Sequence, residues 1–146
     1  MFKHIILATD GSAASEHAAG LAVGLARAHG AKLTALYVVD PYPYVGVGDV
    51  NPMGFQSYMS AAMQHAAEAH ARVAELCEAG GTKVNLATRV AEDVTATQGI
   101  VETAKTEGAD LIVMGSHGRT GVARLMMGSV ANKVAAESPV PVLIAR

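Results

Sequence analysis

Short apolar runs alternate along this chain with longer stretches in which apolar residues recur every three or four positions. Apolar runs of strand length suit buried parallel strands, and the intervening helical periodicity suits helices laid over a sheet. The pattern predicts an α/β fold with strands over 3–9, 32–39, 83–90, 110–114 and 140–145. Helices are expected over 13–29, 55–79 and 95–107, and a last one begins near Gly128-Ser129 and stops before Ser138-Pro139. Gly30, Gly80-Gly81 and Gly108 stand where the first three helices stop, as helix-closing glycines do. Periodicity puts Ala14, Ala18, Leu21, Leu25 and Ala28 on one face of the first helix. In the second it aligns Met59, Met63, Ala66, His70, Val73 and Cys77, turning His70 and Cys77 toward the interior. Residues 40–54, with Pro41, Pro43, Pro52 and three glycines, read as a loop that is long for a compact domain; such loops often carry function or subunit contacts.

At 146 residues the chain is most simply one domain, 1–146, without internal repeat or linker. Hydrophobic residues make up 51% but aromatics only 4%, so the core must be built from Ala, Val, Leu, Ile and Met. One cysteine, Cys77, excludes an intramolecular disulfide, and the N-terminal segment Met1-Phe2-Lys3-His4-Ile5-Ile6-Leu7 breaks at Asp10 before a signal or membrane segment is complete. A cytoplasmic protein with no membrane span is expected. The net charge of -2 provides no general basic surface, which argues against a nucleic-acid partner.

Candidate chemistry concentrates after Leu111-Ile112-Val113-Met114, where Gly115, Gly118, Gly128 and Ser129 follow in the order G-x2-G-x9-G-[ST]. A strand ending in glycines and leading into a helix is a phosphate cradle: amides can turn to an anion without a Cβ in the way, and the helix N-terminus adds unsatisfied donors. Residues 111–136 contain His117, Arg119, Arg124 and Lys133 but no Asp or Glu, which suits a polyphosphate. The same glycines have a plainer reading, with Gly115 and Gly118 making a tight turn and Gly128 a packing contact, and the residues alone leave both open. Asp10, at the end of the first strand, either holds a ribose hydroxyl or Mg2+ beside phosphates, or begins an Asp-Gly-Ser turn with Ser12 as a cap.

Other chemistries find less support. His65 and His70 are five apart rather than the helical four, so no metal site is expected there, and Cys77 has no CxxC partner. The methionines at 59, 63, 114, 126 and 127 are accounted for by core filling and by the floor of a binding site. Neither G-x4-G-K-[ST] nor a helix-opening G-x-G-x-x-G is present, and no acid or base is spaced so as to require hydrolysis. His117 is the candidate catalytic histidine, with a loop hydrogen bond as its plainer role.

Three segments together resemble the universal stress protein family: Ala8-Thr9-Asp10-Gly11-Ser12, Tyr37-Val38-Val39-Asp40, and the long run from Gly108 through Met114-Gly115-Ser116-His117-Gly118-Arg119-Thr120-Gly121. Leu125-Met126-Met127-Gly128-Ser129-Val130-Ala131 and Pro139-Val140-Pro141-Val142-Leu143 extend the resemblance to the end of the chain. It implies a three-layer, Rossmann-like fold with an open five-stranded parallel sheet in the order 3-2-1-4-5. It also implies a homodimer through the last strand, from Val140 to Ala145, which fits the need to cover an exposed edge.

The full glycine pattern resembles that of the ATP-binding branch. Carried over by position, Asp10 would contact the ribose, Val38 would meet adenine through its backbone, and Met114 would line the floor. Gly115, His117, Gly118, Gly128, Ser129 and Val130 would surround the phosphates of ATP, with Mg2+ as a companion ion. Where relatives carry a Gly-x-Pro turn, this chain has Val90-Ala91-Glu92-Asp93-Val94-Thr95, which leaves the start of the third helix open. The implied function is a dimeric ATP-binding regulator or sensor in the stress response, acting on an unidentified protein effector. The alternatives are an interaction protein that binds no nucleotide and works through its dimer surface or Tyr42-Pro43-Tyr44, and a slow ATPase or autokinase with Ser116, Thr120 and Ser129 as candidate acceptors.

Overall fold

A computed structural model describes residues 1–42, 52–117 and 126–146. The elements are β1 (His4–Ala8), α1 (Ala13–His29), β2 (Lys32–Val38), α2 (Pro52–Glu78), β3 (Leu86–Ala91), α3 (Ala96–Thr106), β4 (Leu111–Gly115), α4 (Ser129–Glu137) and β5 (Val142–Ala145). All strand pairs are parallel and the order is β3-β2-β1-β4-β5, as the resemblance implied. Ile5 stands between Leu33 of β2 and Leu111 of β4, which sets the register of the sheet's centre.

Because successive strand residues point to opposite faces, the sheet divides its side chains between two cores. Ile5, Leu7, Leu33, Ala35, Leu111 and Val113 pack with α1 and the C-terminal part of α2. Ile6, Leu36, Ile112 and Met114 pack with Ile100 and Ala104 of α3 and Ala131 and Val134 of α4. Helices therefore cover both faces; β4 is buried throughout, and β1 and β2 are buried except at their ends.

Local chemistry explains the boundaries. Ser12 caps α1 by accepting from the Ser15 amide, and Gly30 closes it with φ 62°. Thr95 opens α3 with a capping box to Gln98, so a polar cap does there what the missing Gly-x-Pro turn would do. Asp93, just upstream, adopts φ 57°, and Glu92 and Asp93 are both exposed. Arg27 of α1 closes α2: its Nε donates to Thr82 O at 2.8 Å and its Nη2 to Ala79 O at 2.8 Å, with Leu76 O and Cys77 O each at 3.3 Å.

Several boundaries and faces differ from expectation. The buried face of α1 is Ser15, Ala18, Ala19, Ala22, Val23 and Ala26, while Leu21 is 40% exposed and Ala28 is also exposed. Close approach to the sheet selects the smallest side chains, so the stripe drawn through the leucines is rotated from the true one. On α2 the expected Ala66, Val73 and Cys77 are buried together with Ala69, but Met63 is exposed. The helix also starts three residues early, at Pro52, a residue type suited to a first helical position. β3 starts at Leu86 rather than 83, and β5 at Val142 rather than 140. Before β5, the Ser138 hydroxyl oxygen accepts from the Val140 amide at 3.1 Å and its hydroxyl donates to Val140 O at 2.7 Å, holding that residue in a turn.

Candidate functional site

Strand order reverses between β1 and β4, because the chain runs outward from β1 to β3 and then crosses back to β4 on the other side. Ligands of open parallel sheets enter at such a point, beyond the carboxyl ends of the strands. A cleft of about 230 Å³ lies there. Its walls come from the ends of β1, β2 and β4, from the starts of α1 and α3, and from the first turn of α4. Ala8, Leu36, Val38, Ala96, Ile100 and Met114 supply apolar surface, and Thr9, Asp10, Ser15, Ser116, His117 and Ser129 supply polar groups.

Of the nine residues anticipated from sequence, Asp10, Val38, Met114, Gly115, His117, Gly128, Ser129 and Val130 meet on this one cleft. Gly118 lies outside the described residues, as do Arg119, Thr120, Arg124, Pro43 and Tyr44. Thr9, Ser15, Leu36, Ala96 and Ile100 also line the cleft but were not anticipated. Leu36 could have been found from strand alternation, since it shares the parity of Val38, and Ala96 from its position next to a helix cap.

Asp10 makes the turn that starts α1: its Oδ1 accepts from the Ser12 amide at 2.9 Å. Arg72 of α2 ties this turn down, donating to Gly11 O at 3.1 Å and to Glu16 Oε1 at 2.9 Å. The carboxylate on the cleft wall is thus held by local hydrogen bonding, and the turn reading and the ligand reading of Asp10 are compatible.

The two described glycines of the motif serve close approach of one part of the chain to another. Gly115 is a buried strand residue rather than a turn, and a Cβ there would lie 3.0 Å from the backbone of Ala14. Gly128 fits the packing reading: a Cβ there would lie 2.9 Å from Ser116 O, the atom that accepts its amide hydrogen at 2.7 Å. As the N-cap of α4, Gly128 makes no side-chain cap hydrogen bond, and Ser129, Val130 and Ala131 of the first turn, where a helix's amides lack intrahelical partners, line the cleft.

His117 is bound on both sides of its ring. Nδ1 lies 2.8 Å from Ser116 Oγ, and Nε2 is hydrogen-bonded to the carbonyl oxygen of Met126. Ser116 is buried, at 3% exposure. Outside the cleft lining, Tyr58 donates to Asp40 O at 2.6 Å and Tyr42 packs against Phe55 and Tyr58, pinning the segment just after β2 to the first turns of α2. Burial, and secondarily the charge of Asp40, push the Tyr58 phenol up from its ordinary range. Among the described residues no group of three or more His, Cys, Asp or Glu is placed to hold a metal ion, and no helix is long and apolar enough to cross a membrane.

The family model of the universal stress proteins matches residues 1–146. A universal stress protein of Methanocaldococcus jannaschii is 37% identical over 146 residues, which span all of this chain and 83% of that one. Among solved structures, the universal stress protein UspA from Lactobacillus plantarum superposes with a TM-score of 0.80 at 28% identity, covering 99% of this chain and 97% of its own. A universal stress protein crystallised in complex with cAMP superposes with a TM-score of 0.66 at 26% identity, covering 99% of this chain and 97% of its own. With the family's model matched from end to end, the chain belongs to the universal stress protein family.

Proposed function

We propose that the cleft binds an adenine nucleotide, ATP in the first instance, and that the protein is a dimeric, cytoplasmic, nucleotide-dependent regulator in the stress response. The observation that carries this reading is the convergence of Asp10, Val38, Met114, Gly115, His117, Gly128, Ser129 and Val130 on one cleft at the sheet's switch point. The residues fit the group. An apolar slot bounded by Leu36, Val38 and Ile100 suits a base, the Asp10 carboxylate suits a ribose hydroxyl, and the uncapped start of α4 suits phosphate oxygens. Gly118 would join the phosphate contacts. Mg2+ would be held chiefly by the phosphates, with Asp10 as a protein carboxylate at the same cleft. The relative crystallised with cAMP supports an adenine nucleotide as the ligand class.

Dimerisation would proceed through β5, which pairs with β4 on one side and carries the exposed Leu143; covering such an edge with its symmetry mate satisfies backbone groups. Nucleotide occupancy would reach a protein effector through the glycine loop and the 40–58 segment, whose described part is held to the start of α2 by Tyr42 and Tyr58.

The test is to denature protein purified without added nucleotide, identify any released adenine nucleotide by chromatography and mass, and titrate the stripped protein with ATP and Mg2+. Stoichiometric nucleotide or micromolar saturable binding is expected. No released nucleotide together with no saturable binding overturns the reading. Light scattering on the same sample should give twice the chain mass, and a monomer would remove the β5 interface.

A further inference from the structure

Gly99 stands at the start of α3, one residue past the Gln98 that closes the capping box with Thr95. A glycine inside a helix weakens it relative to alanine, and no left-handed backbone requires one here: the described glycines with positive φ are Gly11, Gly30, Gly80, Gly81 and Gly108. What the position requires is the absence of a side chain. A Cβ on Gly99 would lie 2.9 Å from Val38 Cγ2, 3.2 Å from Val38 Cγ1 and 3.2 Å from Val94 Cγ2. Gly20 and Gly24 of α1, by contrast, have open space where a Cβ would go.

Val38 carries this contact to the cleft. Its isopropyl group faces the α3 backbone at Gly99, and the same residue lines the cleft with Leu36, Ala96 and Ile100. Being β-branched, Val38 has little rotamer freedom with which to step aside. α3 is equally constrained. Glu107, its C-cap, accepts from Thr34 Oγ1 at 2.9 Å and from Arg89 Nε at 2.9 Å, which ties the far end of the helix to β2 and β3. A side chain at 99 therefore relaxes at the near end, in one of two ways. Either Val38 moves into the slot, or the turn carrying Ala96 and Ile100 moves away from β2. Both change the distance between the same two walls.

We propose that Gly99, which does not itself line the cleft, is the positioning residue that sets the width of the base slot, and through it the preference of the site for a purine over a pyrimidine nucleoside triphosphate. The proposal rests on the nucleotide-binding reading above. The slot is walled by the apolar side chains of Leu36, Val38, Ala96 and Ile100, so those side chains discriminate between bases by contact area and not by hydrogen bonds. A purine presents the larger face. It gains more from walls at the right spacing and loses more when they are displaced in either direction.

The experiment titrates stripped full-length protein with ATP and, separately, with CTP, each with Mg2+; the two ligands share ribose and triphosphate and differ only in the base. The parent protein is expected to bind ATP more tightly than CTP. Gly99→Ala should weaken ATP about tenfold or more and CTP by less, so that the preference shrinks. Val38→Ala makes room for the added methyl group: the double variant Gly99→Ala/Val38→Ala should bind ATP more tightly than Gly99→Ala, a non-additivity that a general loss of stability does not produce. If Gly99→Ala fails to fold, the comparison is between Val38→Ala and the double variant, whose added methyl should refill the widened slot and tighten ATP. Unchanged ATP affinity in Gly99→Ala, equal losses for ATP and CTP, or a double variant with no recovery each overturns the proposal and leaves the nucleotide site standing. A parent protein that binds ATP and CTP alike does the same. A parent protein that binds neither overturns the nucleotide reading and the proposal with it.

Discussion

Gly128 donates its amide hydrogen to the carbonyl oxygen of Ser116 at 2.7 Å, and a Cβ on Gly128 would stand 2.9 Å from that same oxygen. This pair ties the first residue before α4 to the residue just past β4, and so sets where the α4 amides stand relative to the cleft. Gly128→Ala must therefore move backbone rather than a flexible side chain. We expect a loss of about 1–3 kcal/mol in urea unfolding and at least a tenfold weaker ATP affinity in calorimetry. Gly24 is the control: it lies inside α1, and a Cβ there would meet nothing within 4 Å, so Gly24→Ala should be neutral or stabilising by up to about 1 kcal/mol. Equal stability losses in the two variants would refute the role given to the Gly128–Ser116 contact.

Asp10 serves two ends, and two substitutions separate them. Its Oδ1 accepts from Ser12 at the start of α1, a bond that Asn can preserve and Ala cannot. Asp10→Asn should keep close to parent stability while weakening ATP binding about tenfold or more, through loss of charge and of an acceptor at the ribose. Asp10→Ala should lose a similar affinity and about 1 kcal/mol of stability as well. Unchanged ATP affinity in both variants would confine Asp10 to the turn.

Much of this architecture is legible in the sequence, because a few positions admit only one residue type. Gly30 and Gly108 adopt φ 62° and 64°, so the chain breaks at those residues are also the observed helix ends. The cleft residues that sequence identifies, such as Asp10, Val38 and Gly115, sit at or just beyond strand ends, where an apolar run gives way to other chemistry. What escapes is information held between elements. Gly99 of α3 would place a Cβ 2.9 Å from Val38 Cγ2, a contact that depends on how α3 lies over β2 and is recorded in neither segment alone. The face of α1 escapes for the same reason: its alanines matter because β4 runs close beneath them, as Gly115 and Ala14 show. The hydrogen bonds of His117 to Ser116 and to the Met126 carbonyl are likewise invisible until the segments on either side of the glycine loop are brought together.

Arg27 is a structural residue that reads from sequence as an ordinary surface cation. The last turn of α2 contains no basic side chain, and the guanidinium of Arg27 supplies the donors that its terminal carbonyls need. Arg27→Ala leaves those carbonyls to water and removes a cation from the negative end of a helix dipole. Given the partial exposure of these bonds, a loss of about 1–2 kcal/mol in urea unfolding is expected, with Arg27→Lys intermediate because an ammonium cannot reproduce the planar fork. Hydrogen exchange should accelerate first at the C-terminal turn of α2. Uniform acceleration across the domain, with that turn unaffected, would count against the capping role.

His70 provides the pH test. Its Nε2 is buried without a hydrogen-bond partner among the described residues, and the side chain sits on α2 against Ala35 of β2. Burial lowers its pKa from the ordinary 6.5, and a backbone hydrogen bond at Ala35 opposes that shift only in part. The folded protein therefore resists a proton that the unfolded chain accepts. As pH falls below 6.5 the unfolded state binds more protons than the folded state, so stability declines until the lowered folded value is passed. Above that range His70 contributes no slope. Because His70 is only half-buried, the difference attributable to it between pH 7.5 and pH 5.5 should stay within about 1 kcal/mol. The comparison is with His70→Gln, which keeps polarity and cannot ionise in this range, so that the difference reports on this one side chain. Urea unfolding of the parent should lose more stability than His70→Gln on acidification. Parallel losses in the two proteins would show that the proton penalty lies elsewhere.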